Sequence, residues 1–149
     1  LVSGPVDRLG CRALVEREPQ RYGGGIRRDD DLVSRAGESI TSGDDIDSAP
    51  RWISSARLEW RPLAPLTAEI EWVHMGEYFT NAANTRTYPG HDVLNLRAEW
   101  DVNDTISLFG AVRNLTNTDY AERADFAFGN DRYFPGEDRG VTIGIRATP

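Results

Sequence analysis

The sequence predicts an all-β protein, an antiparallel meander of about five long strands of the kind that walls a transmembrane β-barrel. Three observations predict it. Apolar and polar residues alternate with a period of two over five stretches, which is the strand period. Those stretches run to roughly nine to eleven residues, whereas the strands of soluble sheets average ~5–6. Short turns and long polar connections take turns along the chain, as they do in outer-membrane barrels.

The first such stretch follows Pro50. Trp52, Ser54, Ala56, Leu58 and Trp60 alternate with Ile53, Ser55, Arg57, Glu59 and Arg61. Pro62-Leu63-Ala64-Pro65 reads as a turn, because two prolines so close together do not fit inside a sheet ladder. Leu66, Ala68, Ile70 and Trp72 then alternate with Thr67, Glu69, Glu71 and Val73. A polar, aromatic-rich connection covers Glu77 to Gly90.

The last third carries the pattern most clearly. From Asp92 to Trp100, Leu94, Leu96, Ala98 and Trp100 alternate with Asn95, Arg97 and Glu99. After the tight turn Asp101-Val102-Asn103-Asp104, the run from Thr105 to Arg113 sets Ile106, Leu108, Gly110 and Val112 on one side. A polar segment, Asn114 to Asp138, leads to a final strand from Gly140 to Ala147, with Val141, Ile143, Ile145 and Ala147 on that same side.

The apolar register suits a lipid-facing surface. It holds all four tryptophans, Trp52, Trp60, Trp72 and Trp100, three of them at or near strand ends, where barrels carry aromatic girdles. Arg57, Arg97, Arg113 and Arg146 share the opposite register with Glu59, Glu69, Glu71 and Glu99. An arginine facing lipid at the midplane costs ~2–4 kcal/mol, so this segregation is expected of a membrane wall. An 11-residue strand at ~3.3 Å per residue, tilted by ~45°, spans about 26 Å of height, close to the ~25 Å apolar band of such barrels. By this logic the strand at Trp52 runs inward and the last strand ends at the periplasm. The competing reading is a soluble all-β binding domain with no transport role, in which a second layer covers the apolar face.

Composition narrows the function. The net charge of −7 argues against a nucleic-acid partner. The single cysteine, Cys11, has no partner for an internal disulfide and no metal-ligand spacing around it. All 17 basic residues are arginine, which reads as coding bias. There is no signal-peptide pattern at Leu1 to Gly10 and no apolar run of the ~18–20 residues a membrane helix needs. Residues 1–48 read as a polar loop or poorly ordered segment with at most a helical turn at Arg12 to Arg17, and residues 49–149 as the strand region. The aspartates at Asp29-Asp30-Asp31 and at Asp44, Asp45 and Asp47 lack the calcium-loop spacing, and no metal site or cofactor is expected. No Ser, His and Asp stand in a recognisable catalytic motif, so an enzyme is not expected. His74 falls in the lipid-facing register near a strand's outer end, a place for an interfacial side chain; His91 starts a strand beside a long loop.

Four short runs carry a resemblance. Val112-Arg113-Asn114-Leu115-Thr116-Asn117-Thr118-Asp119-Tyr120 resembles the N-L-x-(N/D)-x-x-Y run near the C-terminus of TonB-dependent outer-membrane receptors. Tyr133-Phe134-Pro135-Gly136-Glu137-Asp138-Arg139 resembles the Y-x-P-G-x-x-R run before their final strand. Ile46-Asp47-Ser48-Ala49-Pro50 resembles the family's approach to a hairpin, and Glu77-Tyr78-Phe79-Thr80-Asn81 with Asn84 resembles the loop that follows. The likeness covers about Asp44 to Ala147.

The resemblance implies that these strands belong to a 22-stranded barrel of the bacterial outer membrane, seated in outer-membrane lipid, with an N-terminal plug. It implies energy-coupled uptake of a ferric siderophore or a similar scarce nutrient, with an inner-membrane energy-coupling protein engaged through the N-terminal part. Neither the plug nor the energy-coupling box is among these residues, so the chain reads as the C-terminal portion of such a receptor, unable to transport alone. Family members end the last strand on an aromatic residue, whereas here it runs out in Arg146-Ala147-Thr148-Pro149, which predicts poor insertion or a continuation.

Candidate ligand contacts on the external loops are Tyr78, Arg86, Tyr88, His91, Arg123 and Arg132, since arginines and aromatic rings together can grip an anionic, aromatic iron chelate. Asn114, Leu115, Asn117, Tyr120, Pro135, Gly136 and Arg139 carry the motifs in structural roles. The asparagines suit left-handed turns, Pro135-Gly136 aims the last strand back at the sheet, and Arg139 is expected to pair with Glu137 or Glu122.

Overall fold

Alternation of this kind buries one face of a strand only if neighbours align in register, and here they do. The computed structural model describes Val2–Ser3 and Arg12–Pro19 as backbone, and residues 43–148 in full. The strands are β1 (Val2–Ser3), β2 (Arg12–Pro19), β3 (Trp52–Leu63), β4 (Leu66–Met75), β5 (Tyr78–Phe79), β6 (Thr87–Tyr88), β7 (His91–Asp101), β8 (Ile106–Arg113), β9 (Ala121–Ala127), β10 (Asn130–Pro135) and β11 (Gly140–Ala147). Among the described residues there is no helix.

One antiparallel sheet takes the order β1-β2-β3-β4-β7-β8-β11. Two small hairpins, β5-β6 and β9-β10, stand apart from it. The chain therefore runs as a meander, each long strand beside the next.

Register places like with like across the whole sheet. One row reads Leu58, Ile70, Leu96, Val112, Val141 from β3 to β11, and the next reads Trp60, Ala68, Ala98, Gly110, Ile143. The opposite face carries Glu59, Glu69, Arg97, Ala111 and Thr142 in one row. Ion pairs stitch this charged face between strands: Arg57 Nη2 to Glu71 Oε1 at 2.6 Å, Arg97 Nη1 to Glu69 Oε1 at 3.5 Å, and Arg146 to Glu99. Phe109 lies across Gly144 on that face, where a Cβ would overlap the ring, and the Arg146 guanidinium sits 5.8 Å from its centroid.

Among the described residues, nothing covers the apolar face. Trp52, Leu58, Trp60, Ile70, Trp72, Leu96, Trp100, Leu108, Ile143 and Ile145 are all exposed, Ile143 to 82%. A soluble sandwich would bury these side chains under a second layer. The described residues leave them open to the surroundings, as a barrel wall does.

The short turns lie at one end. Ala64 and Pro65 close β3 onto β4, and residues 102–105 close β7 onto β8, with Asn103 Oδ1 accepting the N–H groups of Thr105 and Ile106 at 2.9 Å each. At the other end the chain makes its long excursions. Residues 76–90 link β4 to β7, and residues 114–139 link β8 to β11. Pro19 pairs with Trp52, so the link between β2 and β3 also leaves and returns at that end.

Three details differ from the sequence reading. Pro62 lies within β3, at a register shift between Trp60 and Leu63 that removes the need for its missing N–H. Arg12–Pro19 is a strand paired with β3, not a helical turn. The polar segment after Asn114 contains the β9-β10 hairpin. Most of residues 1–48, including Cys11 and Asp29 to Asp31, lies outside the described residues.

Candidate functional site

The only hydrophobic cluster of buried residues among those described lies at the long-loop end, on the side of the sheet that carries the charges. Tyr78, Tyr88, Ala121 and Ala124 form it, with Met75 packed against them. Tyr78 is 5% exposed and Tyr88 6%. Their rings sit 5.4 Å apart, tilted by 49°.

Both hydroxyls reach across to the backbone of β9. Tyr78 Oη accepts the Ala124 N–H at 2.7 Å and donates to the Ala124 carbonyl at 3.2 Å. Tyr88 Oη accepts the Ala121 N–H at 2.9 Å and lies 3.1 Å from His91 Nδ1. Burial pushes the Tyr78 hydroxyl's pKa up, so it stays a donor at physiological pH. The His91 ring is also 4.5 Å from that of Tyr120.

The 77–90 loop is shaped by one buried amide. Asn81 Oδ1 accepts the N–H groups of Thr85 and Arg86 at 3.0 Å each, while its Nδ2 donates to Thr85 Oγ1 at 2.8 Å. Gly90 has φ +83° and lies against the backbone of Met75 and Gly76, where a Cβ would collide. That contact turns the chain into β7.

The 114–139 loop hangs from Asn114, 2% exposed. Its Nδ2 donates to the Thr118 and Glu137 carbonyls at 2.9 and 3.0 Å, and its Oδ1 accepts the Thr118 N–H at 2.9 Å. Asn114 and Asn117 have φ of 48° and 54°. Leu115 donates its N–H to the Leu94 carbonyl at 2.7 Å, continuing the ladder past β8. Tyr120 lies over Gly136 so closely that any side chain there would overlap the ring, and its carbonyl accepts the Gly136 N–H at 2.9 Å. Pro135 closes β10 at a register shift opposite Ala121. Arg139 joins through its backbone, N–H to Asn117 Oδ1 at 3.1 Å, while Glu137 pairs instead with Arg113 at 3.3 Å.

Beyond the cluster, β9 and β10 present an arginine–aromatic face. Register puts Arg132 opposite Asp125 and Phe134 opposite Arg123. Arg132 holds Asp125 with two bonds, Nε to Oδ1 at 2.7 Å and Nη2 to Oδ2 at 3.0 Å, and Arg123 Nη2 adds a contact to Oδ2 at 3.0 Å. The Arg132 hydrogen bonds, with the charges of both arginines, hold the Asp125 carboxyl below the usual carboxylate range. Arg123 and Arg132 lie 5.8 and 6.0 Å from the Phe134 centroid, and Arg132 lies 5.8 Å from that of Phe128. On the hairpin's other side, Arg86 pairs with Asp131 at 2.6 Å and lies 4.4 Å over the Phe126 ring.

The hairpin tip is a two-residue turn in which Phe128 and Gly129 both have positive φ, 56° and 80°, as a type I′ turn requires. Phe128 is 93% exposed. A bulky residue in this conformation is unusual.

His74 stands apart, facing the other way. It stacks on Trp72 at 5.5 Å and lies 3.0 Å from Asp92 Oδ1, which also accepts the Trp72 Nε1–H at 2.8 Å. This polar row at the long-loop end of the apolar face is what an interfacial rim looks like. Asp45, from the aspartate-rich lead-in, pairs with Arg51 at 2.5 Å. Among the described residues no three His, Cys, Asp or Glu side chains gather as a metal site.

The structure thus brings Tyr78, Tyr88, His91 and Tyr120 together as packed, hydrogen-bonded groups, and sets Arg86, Arg123 and Arg132 around the hairpin. Sequence reading does not single out Asp125 or Asp131, the carboxylates that position those arginines. The available signal is Phe128-Gly129-Asn130, a glycine-containing turn inside the polar segment.

A family model described as TonB dependent receptor-like, beta-barrel, matches residues 20–115. The chain belongs to this family. Among curated proteins, none matches the chain in sequence. Among solved structures, the siderophore receptor PiuA of Acinetobacter baumannii superposes with a TM-score of 0.70 at 15% identity, covering 97% of this chain and 20% of the receptor. The ferric enterobactin receptor PfeA of Pseudomonas aeruginosa, as a point mutant, gives 0.64 at 14% identity, over 97% and 21%. BauA, the ferric preacinetobactin receptor of Acinetobacter baumannii, gives 0.56 at 21% identity, over 71% and 16%. The chain spans about a fifth of the length of the first two. As a TonB-dependent receptor-like barrel segment, it supplies consecutive wall strands together with the long connections at one rim.

Proposed function

We propose that this chain is the C-terminal stretch of wall and external loops of a bacterial outer-membrane receptor. The full-length protein takes up a ferric siderophore or a similarly scarce nutrient. Uptake is driven by an inner-membrane energy-coupling protein that engages the N-terminal part of the receptor. Outer-membrane lipid contacts the apolar face, and residues 49–149 are the wall with its loops. Val2–Ser3 and Arg12–Pro19 add two further strands to that wall.

The observation that carries this reading is the uncovered apolar face. Ten large apolar side chains lie exposed in one register across the sheet while the charged register is paired internally. In water this arrangement is unfavourable, at roughly 25 cal/mol per Å² of apolar surface left wet; in a bilayer it is what the solvent demands.

In this reading the solute meets the arginine–aromatic face of β9-β10. Arg123, Arg132, Phe128 and Phe134 contact it, with Arg86 at the hairpin's other side. Tyr78, Tyr88 and His91 contribute by fixing the loops.

The test is uptake of iron-55 ferric enterobactin and of a hydroxamate chelate by an iron-starved, receptor-deficient bacterium expressing the full-length protein. Energy-dependent uptake of either is expected, and R123A/R132A is expected to raise the half-saturating concentration about tenfold or more. Iron uptake no greater than in the receptor-deficient host, with the protein present in the outer membrane, would contradict the transport role.

A further inference from the structure

We propose that the lead-in at residues 43–50 and the two long loops, 76–90 and 114–139, form a single latched body. The loops open together or not at all, and Tyr78 and Tyr88 are the latch. This holds whatever solute the receptor carries.

The ties cross all three segments. Ser48 donates its N–H to the Phe79 carbonyl at 2.7 Å. Asp45 donates its N–H to Asn84 Oδ1 at 2.6 Å, and Asn84 Nδ2 returns a bond to the Asp45 carbonyl at 3.0 Å. Between the two loops, Phe126 donates its N–H to the Thr80 carbonyl at 2.8 Å, beside the tyrosine bonds to Ala121 and Ala124. Arg86, stacked on Phe126 and paired with Asp131, closes the outer end.

The chemistry makes these ties cooperative. The tyrosine hydroxyls and the amides they serve are buried, so lifting β9 even slightly leaves donors and acceptors without partners in a place water does not reach. The apolar contacts of Tyr78 and Tyr88 with Ala121 and Ala124 are lost in the same step. A partial opening therefore loses nearly as much as a complete one. The loops behave as a fixed portion of the rim, and the arginine–aromatic face is held in place before any solute arrives. Only the hairpin tip at Phe128 lies outside the latch.

Native-state hydrogen exchange on the full-length receptor in detergent micelles tests this. The amides of Asp45, Ser48, Ala121, Ala124 and Phe126 are each the donor in one of these ties. Their opening free energies are expected to merge onto one line as denaturant is added. Exchange of Ala121, Ala124 and Phe126 by an easier opening that leaves Asp45 and Ser48 protected would overturn the proposal. In Y78F/Y88F, exchange at Ser48 is expected to rise roughly ten- to a hundredfold along with the hairpin amides. Acceleration confined to the hairpin would also overturn it. If that variant does not assemble, the unmodified receptor's exchange decides alone.

Discussion

The Tyr78 hydroxyl makes both bonds with one residue: it accepts the Ala124 N–H at 2.7 Å and donates to the Ala124 carbonyl at 3.2 Å. The two residues lie on different loops, and this pair sets the height of β9 above the β5-β6 turn. Tyr78→Phe leaves the ring in place and strands both backbone groups of Ala124. The loss of a buried partner costs about 1–3 kcal/mol, so the exchange rate of the Ala124 amide should rise by roughly five- to a hundredfold. A rate unchanged from the parent would show that water, not Tyr78, satisfies Ala124.

A second prediction separates the two registers on β7. Ala98 lies in the apolar row with Trp60, Ala68, Gly110 and Ile143, and Glu99 faces the other way, paired with Arg146. Ala98→Arg puts a guanidinium against lipid, at up to ~2–4 kcal/mol. Glu99→Arg loses an exposed ion pair, worth ~1 kcal/mol or less. The folded fraction in the outer membrane, read from heat-modifiable migration, should fall far more for Ala98→Arg. Equal losses would count against the registers described.

Two glycines with similar backbones should respond differently. Gly90 and Gly129 have φ +83° and +80°, but only Gly90 lies against other backbone, at Met75 and Gly76. Gly129→Ala carries conformational strain alone, on the order of 1 kcal/mol. Gly90→Ala adds a collision that must move the start of β7. Thermal unfolding of the assembled receptor should show a clearly larger loss for Gly90→Ala.

Acid should loosen the hairpin. Arg132's hydrogen bonds, and then the charges of Arg132 and Arg123, lower the Asp125 pKa in the folded state. A lowered folded pKa means that the proton binds the unfolded chain more tightly. The stabilisation is therefore fully present above the unfolded value, ~3.9, and is lost as pH falls through the lower folded value. Hairpin protection, corrected for intrinsic exchange, should fall between pH 5 and pH 2 in the parent, taken here as rough bounds. In Asp125→Asn that fall should be absent, from a weaker starting point.

The wall was legible because its information is local. Alternation from Trp52 onward assigns each side chain to a face, and neither the strands nor their faces need long-range knowledge. Strand ends shift by a residue or so, as at His91 and Ile106, where ladder bonds rather than side-chain type decide the boundary. β2 was illegible because Leu14 and Val15 stand side by side and break the alternation. In β9 the buried residues Ala121 and Ala124 lie three apart, which is not a strand spacing; the segment is a strand through its pairing with β10, and contact with Tyr78 and Tyr88 decides which of its residues are buried. The ion-pair partners were equally hidden. Glu137 reaches Arg113 rather than Arg139 because the loop that hangs from Asn114 brings them together, a consequence of tertiary geometry alone.

The central claim is that one register of this sheet faces lipid. Single nitroxide labels at positions 93 to 99 of β7, in the full-length receptor reconstituted into bilayers, test it most directly. Accessibility to oxygen, which concentrates in the bilayer, should peak at 94, 96 and 98, and accessibility to a water-soluble nickel chelate should not. Oxygen accessibility that peaks at 95 and 97, or that shows no period of two, would contradict the account.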